Sequence, residues 1–511
     1  MHPSAHSRGQ AAKPAFIMAP SGEVVTYGAL DQRSNRYAQL FRAFGLRPGD
    51  TMAFSLENRR EFLEIAWGAQ RSGVRYVPIS NKLNASEIVH ILADSGAALF
   101  IASHSLEAIG DALAAAGLTI HALGVGASAG LFRAIEPMLE GMPDEPIADE
   151  AAGIEMLYSS GTTGRPKGIA PRHEPGLPID APEPVTQAIA AKFGAGPQTI
   201  YLCPAPLYHA AALRWCMAMG RIGATAVVME KFDAELALTL IERHAITLAQ
   251  FVPTHFVRML KLPAPVREAF DVGSLETVVH AAAPCPIPVK EAMIDWFGPI
   301  IHEYYGGSEM NGSTSIGPHD WLEHKGSVGR SAAETVHICD EQGRELPPRS
   351  EGLIYFSGGR EFEYHNDPER TREARHPRGW TTLGDIGWLD EDGYLYLTDR
   401  KSFMIISGGV NIYPQEIENL LITHPAVADI AVLGAPDEDL GETVVAVVEP
   451  LVWEDAGDAL AAELDIFARE GLSHVKIPRR FIFRKTLPRL DTGKLAKKQI
   501  REELWPAGRA V

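Results

Sequence analysis

Residues Tyr158 to Ile169 read YSSGTTGRPKGI, a segment that combines glycines and hydroxyl-bearing residues with one lysine. Glycine lets backbone N–H groups approach a ligand closely, and the hydroxyls and the ammonium group add further donors, so the segment could wrap a phosphate-like anion. The spacing Gly161-x-x-Gly164-x-x-Lys167 is not the G-x-x-x-x-G-K-S/T spacing of a P-loop. Taken by itself, the segment fits a solvated turn after a buried strand equally well.

Four further segments carry residue types that suit an ATP site. They are EYYGGSEM (303–310), TTLGDIGWLDEDGYLYLTDRKSF (381–403), SGGVNIYPQEIE (407–418) and LPRLDTGKLAKK (487–498). A tyrosine can stack on a base, a carboxylate can hold magnesium or a ribose hydroxyl, and a lysine can neutralise phosphate oxygens. Each residue alone also fits an ordinary core or surface role. Together, the five segments indicate a site for ATP.

Hydrophobic periodicity places these segments in an α/β fold of sheets covered by helices. Thr26 is the predicted N-cap of a first long helix, which Gly45 is placed to end. The pattern then predicts βαβ units at Met52–Leu56, Arg60–Arg71 and Tyr76–Ile79, at Thr225–Met229, Ala234–His244 and Ile246–Val252, and at Thr277–Ala283, Val289–Phe297 and Ile300–Tyr304.

After DRKSF the pattern becomes that of a small α+β domain. Its predicted elements are a helix at Gln415–Thr423, strands at Val427–Gly434 and Thr443–Glu449, a helix at Leu460–Gly471, a strand at Phe481–Arg484 and a basic terminal helix. We therefore expect a large N-terminal domain of residues 1–399 and a small C-terminal domain of residues 400–511.

Composition excludes several classes of protein. The apolar fraction of 46% is that of a globular protein, and the formal net charge of -18 argues against binding to nucleic acid or anionic membranes. No apolar run approaches membrane-spanning length. The 4 cysteines are too far apart for metal or redox motifs, which predicts free thiols and a cytoplasmic location. Residues 476–501 hold ten lysines and arginines against one acid, and this stretch could meet phosphates or be solvated.

A dinucleotide fingerprint is a weak competitor for the nucleotide site. Gly124-x-Gly126-x-x-Ala129 fits the relaxed pattern, with a short apolar run before it and a candidate helix after it. No acidic residue stands at a good distance for a ribose, and glycine and alanine are common throughout the chain. A dehydrogenase is therefore the last-ranked hypothesis.

The five segments together resemble the motifs of the adenylate-forming enzymes, which include acyl-CoA synthetases, luciferases and peptide-synthetase adenylation domains. The resemblance runs from Gly22 to Leu504, and DRKSFMIISGGVNIYPQEIE is most similar to bacterial fatty-acyl, aryl and steroid-acid CoA ligases. It implies a ligase that adenylates a carboxylic acid with ATP and Mg²⁺, and then passes the acyl group to the thiol of CoA. Transfer to a separate carrier protein and a non-catalytic nucleotide sensor are the alternatives.

The resemblance also implies a role for individual residues and a C-terminal domain that rotates between the two half-reactions. For the nucleotide, the resemblance implies a phosphate loop with Thr162, Thr163, Gly164 and Lys167, nucleotide binding by Tyr305, Gly306 and Ser308, and ribose binding by Asp385 and Arg400. Glu309 would bind magnesium, and Lys494 would bridge the acid and the α-phosphate. The segment of Ser407, Gly408 and Gly409 would face CoA, and the hinge would lie near Ser402.

The substrate acid is the least determined part of this interpretation. The segment APLYHAAALRWCMAMG matches the acyl pocket of relatives, with His209 as the catalytic gate and Ala211 and Trp215 as lining. It indicates apolar room for a bulky or long acid, while ordinary helix packing is the alternative for all but His209. Two residues, Ser402 and Arg172, depart from the family pattern. Fatty, arylpropenoic and steroid side-chain acids stay open, and a homodimer is compatible with the sequence.

Overall fold

The computed structural model describes residues 1–159, 166–171, 174–400, 403–437, 439–489 and 495–505, and its elements are numbered in chain order. The first sheet consists of β3 (Thr51–Ser55), β4 (Arg75–Pro78), β5 (Leu99–Ala102), β6 (His121–Gly124), β7 (Arg133–Ala134) and β8 (Ile154–Glu155). Its order is β7-β6-β5-β3-β4-β8, and every pair in it is parallel. Parallel pairs need crossover connections, which the predicted helices supply.

The second sheet has eight strands and forms the centre of the molecule. They are β1 (Pro14–Ala19), β2 (Val24–Thr26), β11 (Ile200–Cys203), β12 (Thr225–Met229), β13 (Leu248–Phe251), β14 (Thr277–His280), β15 (Ile301–Gly306) and β16 (Ser313–Ile316). The order is β16-β15-β14-β13-β11-β12-β1-β2, with antiparallel pairs only at the two edges. In such sheets ligands bind beyond the carboxyl ends of the strands, and EYYGGSEM begins in β15 and runs past its end.

Helices cover both of these sheets, as the periodicity predicts. They are α1 (Ser4–Gln10), α2 (Tyr27–Ala43), α3 (Arg60–Arg71), α4 (Ala85–Ser95), α5 (Leu106–Ala115), α6 (Glu136–Glu140), α7 (Pro184–Phe193), α8 (Ala210–Ile222), α9 (Ala234–His244), α10 (Pro253–Leu260), α11 (Ala264–Arg267), α12 (Ile287–Phe297), α13 (Pro318–Glu323) and α14 (Pro368–Glu373). Thr26 caps α2 by accepting a hydrogen bond from the Ala29 amide at 3.2 Å. Among the described residues, no helix is both long enough and apolar enough to cross a bilayer.

Two antiparallel sheets complete the part of the chain before residue 401. A three-stranded sheet, in the order β20-β10-β9, contains β9 (Leu157–Ser159), β10 (Lys167–Pro171) and β20 (Phe362–Tyr364). A five-stranded sheet, in the order β17-β22-β21-β19-β18, contains β17 (Ser327–Gly329), β18 (Thr335–Cys339), β19 (Gly352–Ser357), β21 (Thr381–Leu389) and β22 (Leu395–Arg400). The five-stranded sheet approaches the carboxyl end of β15, because Phe356 and Asp385 contact Tyr305. The three-stranded sheet reaches the loop that follows β15, because Tyr364 of β20 binds Glu309.

The C-terminal elements form a separate sheet with its own cores. The strands are β23 (Ile405–Ser407), β24 (Val410–Ile412), β25 (Val427–Asp437), β26 (Gly441–Pro450) and β27 (Arg480–Phe483), and the helices are α15 (Pro414–Leu421), α16 (Asp458–Gly471) and α17 (Lys497–Leu504). One apolar cluster joins α15 and α16 to the sheet, and a second joins α17 to the same strands. The predicted fold class, a helix-covered α/β body with a small α+β domain, is confirmed.

The candidate helix after Gly124 was a wrong expectation. Strand β6 ends at Gly124, and the chain folds back on it so tightly that a Cβ there would lie 2.2 Å from the Ala127 carbonyl oxygen. A short bridge between Ala129 and Phe132 follows, and the next element is strand β7. These glycines therefore serve a tight turn at the edge of the first sheet, and the dinucleotide interpretation loses its helix.

Candidate active site

Tyr305 and Asp385 meet at the carboxyl end of the central sheet. Strand β15 carries Tyr305, and β21 of the five-stranded sheet carries Asp385. The Tyr305 hydroxyl donates a hydrogen bond to Asp385 Oδ2 at 2.6 Å, and the Asp385 residue is only 8% exposed. Asp385 and Arg400 are direct partners in the β21–β22 ladder, which brings the backbone of the predicted ribose pair side by side. The side chain of Arg400 lies outside the described residues.

The loop after β15 holds Ser308 and Glu309 beside this pair. A Cβ at Gly307 would lie 2.4 Å from Leu383 and 2.7 Å from Glu309, so the loop is packed closely against the five-stranded sheet. Met310 has a φ of 57°, a left-handed conformation that costs energy in a residue other than glycine. The Tyr364 hydroxyl donates to Glu309 Oε1 at 3.1 Å, which ties the predicted metal ligand to β20.

Lys167 lies at the start of β10, and its backbone takes part in the antiparallel pairing of β10 with β9. Lys167 is the direct partner of Ser159 in β9, so the two flanks of segment 160–165 run side by side. The same strand pairs with β20, which carries Tyr364. The three-stranded sheet therefore joins the phosphate segment to the Glu309 loop. Thr162, Thr163 and Gly164 lie outside the described residues, as do Arg172 and His173.

The segment predicted to line the acyl pocket begins α8. His209 precedes the helix, and its ring lies 4.4 Å from that of Tyr208. Trp215 is only 3% exposed, since it stacks on Tyr201 at 5.7 Å and packs on Phe193 at 5.3 Å. Ala211 is half-buried. Trp215 therefore fills space in this part of α8, where the sequence suggested open apolar room.

Strand β15 presents neighbouring residues to different partners. The Gln250 side chain donates to the Tyr304 hydroxyl at 3.0 Å, on the face of the sheet that α8 covers. Glu303, on the other face, accepts a hydrogen bond from Lys290 of α12 at 2.6 Å. Tyr305, one residue further along from Tyr304, reaches Asp385. Three layers of the molecule are thus attached to one strand.

A buried charge cluster lies directly behind Tyr305. Lys290 is completely buried, and its ammonium group also lies 4.6 Å from the centre of the Trp321 ring. Burial would raise the pKa of Glu303, but the neighbouring His280 and Lys290 lower it to about 2. Burial lowers the pKa of His280 itself. This cluster could not be predicted from the sequence, because the residues that form it are separated in the chain and each looks ordinary.

Sequence reasoning also missed Arg214, which lies on α8. Its Nε is 2.7 Å from Glu155 Oε1, and its Nη2 donates to the Ser308 carbonyl oxygen at 3.2 Å. Arg214 and Glu155 line a small cleft together with Leu157, Ile169, Ser308 and Glu309. A charged residue inside an apolar helix pattern was the available signal.

The C-terminal candidates lie in two places. Ser407, Gly408 and Gly409 form the tip of the β23–β24 hairpin, where both glycines are exposed and have positive φ. Ser402 and Lys494 lie outside the described residues. Arg489, before the Lys494 segment, pairs with Asp429 of β25. The neighbouring Val427 accepts a hydrogen bond from Lys261, which follows α10.

The flanks of the Lys494 segment therefore lie near the far end of α10. This helix begins beyond the carboxyl end of β13 and runs for about 12 Å, so Lys261 lies away from the edge that holds Tyr305. Burial lowers the pKa of Lys261 to about 8. Tyr305, Asp385, Ser308 and Glu309 are brought together, whereas the described residues beside Lys494 are not among them.

The basic C-terminal stretch is largely neutralised within the domain. Six of its described lysines and arginines form ion pairs with carboxylates, namely Lys476, Arg484, Arg489, Lys497, Lys498 and Arg501. The pair of Lys497 with Glu418 of α15 is buried on both sides. The charges of these six residues are therefore balanced by carboxylates of the C-terminal elements, and less of the charge of the stretch is left for an external phosphate.

Two family models match the chain in the order that the motifs predict. The model of the AMP-binding enzyme covers residues 4–362, and the model of the AMP-binding enzyme C-terminal domain covers residues 416–494. The chain belongs to the AMP-binding enzyme family. The first match spans the phosphate segment, α8 and the Ser308–Glu309 loop, and the second begins at Glu416 in α15, after the hairpin of Ser407, and ends at Lys494.

Proteins that match this chain over nearly their whole length are named as ligases or synthetases. The fatty acid–acyl-carrier-protein ligase ScoC of Streptomyces coeruleorubidus is 32% identical, with 98% of this chain and 95% of the relative covered. The long-chain-fatty-acid–CoA ligase FadD13 of Mycobacterium tuberculosis is 31% identical, with 95% and 94% covered. The o-succinylbenzoate CoA synthetase of Bacillus subtilis, solved with its acyl-adenylate intermediate, is 27% identical with a TM-score of 0.80, with 98% and 97% covered. The predicted family is confirmed, and the chain is an acid–thiol ligase of the AMP-forming class.

Proposed function

We propose that this AMP-binding enzyme joins a hydrophobic carboxylic acid to the thiol of CoA through an acyl-adenylate. The observation that carries the proposal is the contact between Tyr305 and Asp385, at 2.6 Å, beside the loop of Ser308 and Glu309. An aromatic ring, a carboxylate, a hydroxyl residue and a second carboxylate at one sheet edge suit adenine, ribose, α-phosphate and a metal ion. Two sequence segments, 303–310 and 381–403, supply these four residues, as the motifs predict.

The reaction explains why cations are needed at this edge. A carboxylate is a poor electrophile toward a thiol, because its leaving group would be oxide, so it first attacks the α-phosphate and expels pyrophosphate. Both reactants are anions. Lys494 would reduce their repulsion and stabilise the charge that develops on the α-phosphoryl oxygens. AMP is then the leaving group when the thiolate of CoA attacks the acyl carbon.

The residues at the loop fit a magnesium ion. Mg²⁺ prefers oxygen ligands and is usually held by one or two carboxylates together with substrate phosphates. Glu309 lines the cleft beside Ser308, and the hydrogen bond from Tyr364 fixes one of its oxygens. Glu309 would hold the ion, whose charge supplies part of the neutralisation of the triphosphate. Lys167 and the hydroxyls of Thr162 and Thr163 would bind the β- and γ-phosphates.

The second half-reaction requires a rearrangement that we assign to the C-terminal domain, residues 400–511. Arg400 ends β22 of the five-stranded sheet, and the next described strand begins at Ile405 in the C-terminal sheet. A hinge near Ser402 lies between these two sheets, and a small residue there can absorb a change in φ and ψ. Rotation would withdraw Lys494 from the adenylation site and bring the Ser407–Gly409 segment to the CoA channel. The free cysteines are consistent with a cytoplasmic enzyme.

The proposal is tested by incubating the protein with ATP, Mg²⁺, CoA and acids of increasing size, from benzoate to long-chain and steroid side-chain acids. We expect AMP, pyrophosphate and an acyl-CoA as products. The similarity to ScoC favours a carrier protein as second candidate acceptor, so a phosphopantetheinylated carrier is assayed in parallel. Formation of acyl-adenylate followed by transfer of the acyl group to the carrier, and not to CoA, supports that candidate. Release of ADP, or absence of any acid-dependent AMP, contradicts both.

Replacing Asp385 by alanine is expected to weaken ATP binding by about tenfold to a hundredfold, because a charged acceptor is typically worth about 1.5–3 kcal/mol. Isothermal titration with ATP in the absence of an acid substrate measures the change. Tyr305→Phe is the matched control, since it removes the hydroxyl that bonds to Asp385 and keeps the ring. An equal loss in the two variants would show that the carboxylate acts on Tyr305 alone.

A further inference from the structure

We infer that Arg214 positions the Ser308–Glu309 loop for adenylation. This inference rests on the proposed function, because it assigns the α-phosphate and the metal ion to that loop. Arg214 touches no reacting atom in it, so the role is that of a positioning residue.

Arg214 joins three segments that each carry part of the site. It lies on α8, which His209 and Ala211 begin, and it binds Glu155 of β8 and the carbonyl oxygen of Ser308. Glu155 lies two residues before β9, the strand that leads into the phosphate segment. One guanidinium group therefore fixes the acyl helix, the approach to the phosphate segment and the Ser308 loop relative to one another.

The directions of these two contacts suit the side chain of arginine and not that of lysine. The guanidinium is planar and offers several donors in fixed directions, so Nε can serve Glu155 while Nη2 serves Ser308. A lysine has one nitrogen and could keep the ion pair with Glu155 but not both contacts in the same directions. Side-chain exposure is 15% for Arg214 and 18% for Glu155, so water competes weakly with these contacts.

The loop that Arg214 holds is under strain. Met310 has a φ of 57°, and Gly307 is packed against Leu383 and Glu309. Strained backbone persists only when the surrounding structure fixes it. The bond from Arg214 to the Ser308 carbonyl lies between these two positions, and on the other side of the loop Tyr364 binds Glu309. Losing the Arg214 contact should let the loop relax and move Ser308 and Glu309 from their positions.

The test compares two half-reactions in Arg214→Gln and Arg214→Lys. We expect acid-dependent ATP–pyrophosphate exchange to fall about tenfold to a hundredfold in both variants through kcat, because a misplacement of about 1 Å can cost about 10²-fold in rate. The reaction of preformed acyl-adenylate with CoA should stay within twofold of wild type. Arg33→Gln is the matched control, since it removes an ion pair between α2 and α3, of half-buried Arg33 with buried Glu64, that includes no residue of the site, and it should leave both rates unchanged.

The outcomes separate this inference from the proposed function. If the wild-type protein shows no exchange with any acid, the proposed function fails. If the wild type exchanges and both Arg214 variants exchange equally well, only the role of Arg214 fails. Equal losses in both half-reactions, or a melting temperature that falls in parallel with activity, would make Arg214 a structural residue. Should Arg214→Gln not fold, Arg214→Lys, which keeps a partner for Glu155, decides the matter.

Discussion

Replacing Lys494 by alanine is expected to lower the rate of acid-dependent ATP–pyrophosphate exchange by about 10²–10³, the usual cost of losing one donor that stabilises developing charge. The reason is that two anions must approach each other at the α-phosphate, and the lysine is the cation that the family motif places between them. The reaction of preformed acyl-adenylate with CoA should change much less, because the acid is then already joined to the α-phosphate and AMP is the leaving group.

Lys498→Ala is the control for this change. Lys498 belongs to the same basic stretch, is about half exposed and pairs only loosely with Glu502 at 3.6 Å. Its replacement should leave both half-reactions within twofold of wild type. Comparable losses in adenylation and thioester formation for Lys494→Ala would contradict the assigned role. So would a fall in exchange as large for Lys498→Ala, since that would point to the net charge of the stretch.

Replacing Lys290 by methionine is expected to lower the free energy of unfolding by about 3–5 kcal/mol, the usual cost of leaving one member of a buried ion pair alone. Glu303 is 2.6 Å from the Lys290 ammonium and is buried with it. Without Lys290 the Glu303 carboxylate must stay charged without its partner or take up a proton. Urea unfolding followed by tryptophan fluorescence measures the change, because Trp321 lies beside Lys290.

The contribution of Glu303 to stability should also depend on pH. The pKa of Glu303 is about 2 in the folded protein and 4.5 ordinarily, so its contribution to stability is complete above pH 4.5 and is lost as the pH falls toward 2. In Lys290→Met the pKa of Glu303 should rise, and the loss of stability should move to higher pH. The double variant Lys290→Met with Glu303→Leu should recover most of the stability.

An exposed ion pair with one member on the same helix is the control. Lys325 pairs with Glu291 of α12 at 2.6 Å, with both side chains well exposed. Such surface pairs typically contribute about 0–1 kcal/mol, so Lys325→Met should cost far less than Lys290→Met. If the two variants lose equal stability, burial of the Lys290 pair is not what makes it important.

Regular elements were predictable because their periodicity is local. The helices Arg60–Arg71 and Ala234–His244 and the strand Thr225–Met229 have the predicted bounds. Apolar residues recur at the spacing of one helix face or one buried strand, and the caps lie nearby. The helix α12 starts at Ile287, two residues before the predicted start, because a proline at its second position is compatible with the first turn.

The contacts that hold the site could not be predicted in this way. Arg214 meets Glu155 and Ser308 across 59 and 94 residues of chain, and Lys290 meets Glu303 across two different elements. Pairs of this kind depend on how sheets and helices pack, and a single sequence contains no periodic signal for them. Trp215 shows the same limit, since its position on an apolar helix face predicts that it lines a pocket, whereas the fold buries it among other aromatic rings.

The arrangement along β15 limits how this enzyme can change. Glu303, Tyr304 and Tyr305 follow one another, and side chains alternate across a strand, so Tyr304 lies on one face while Glu303 and Tyr305 lie on the other and contact Lys290 and Asp385. Inserting or deleting a single residue here would turn every following side chain to the opposite face. The strand can therefore vary by substitution but not in length. A substitution at Tyr304 would therefore change only the face that α8 covers, while Glu303 and Tyr305 keep their contacts on the opposite face.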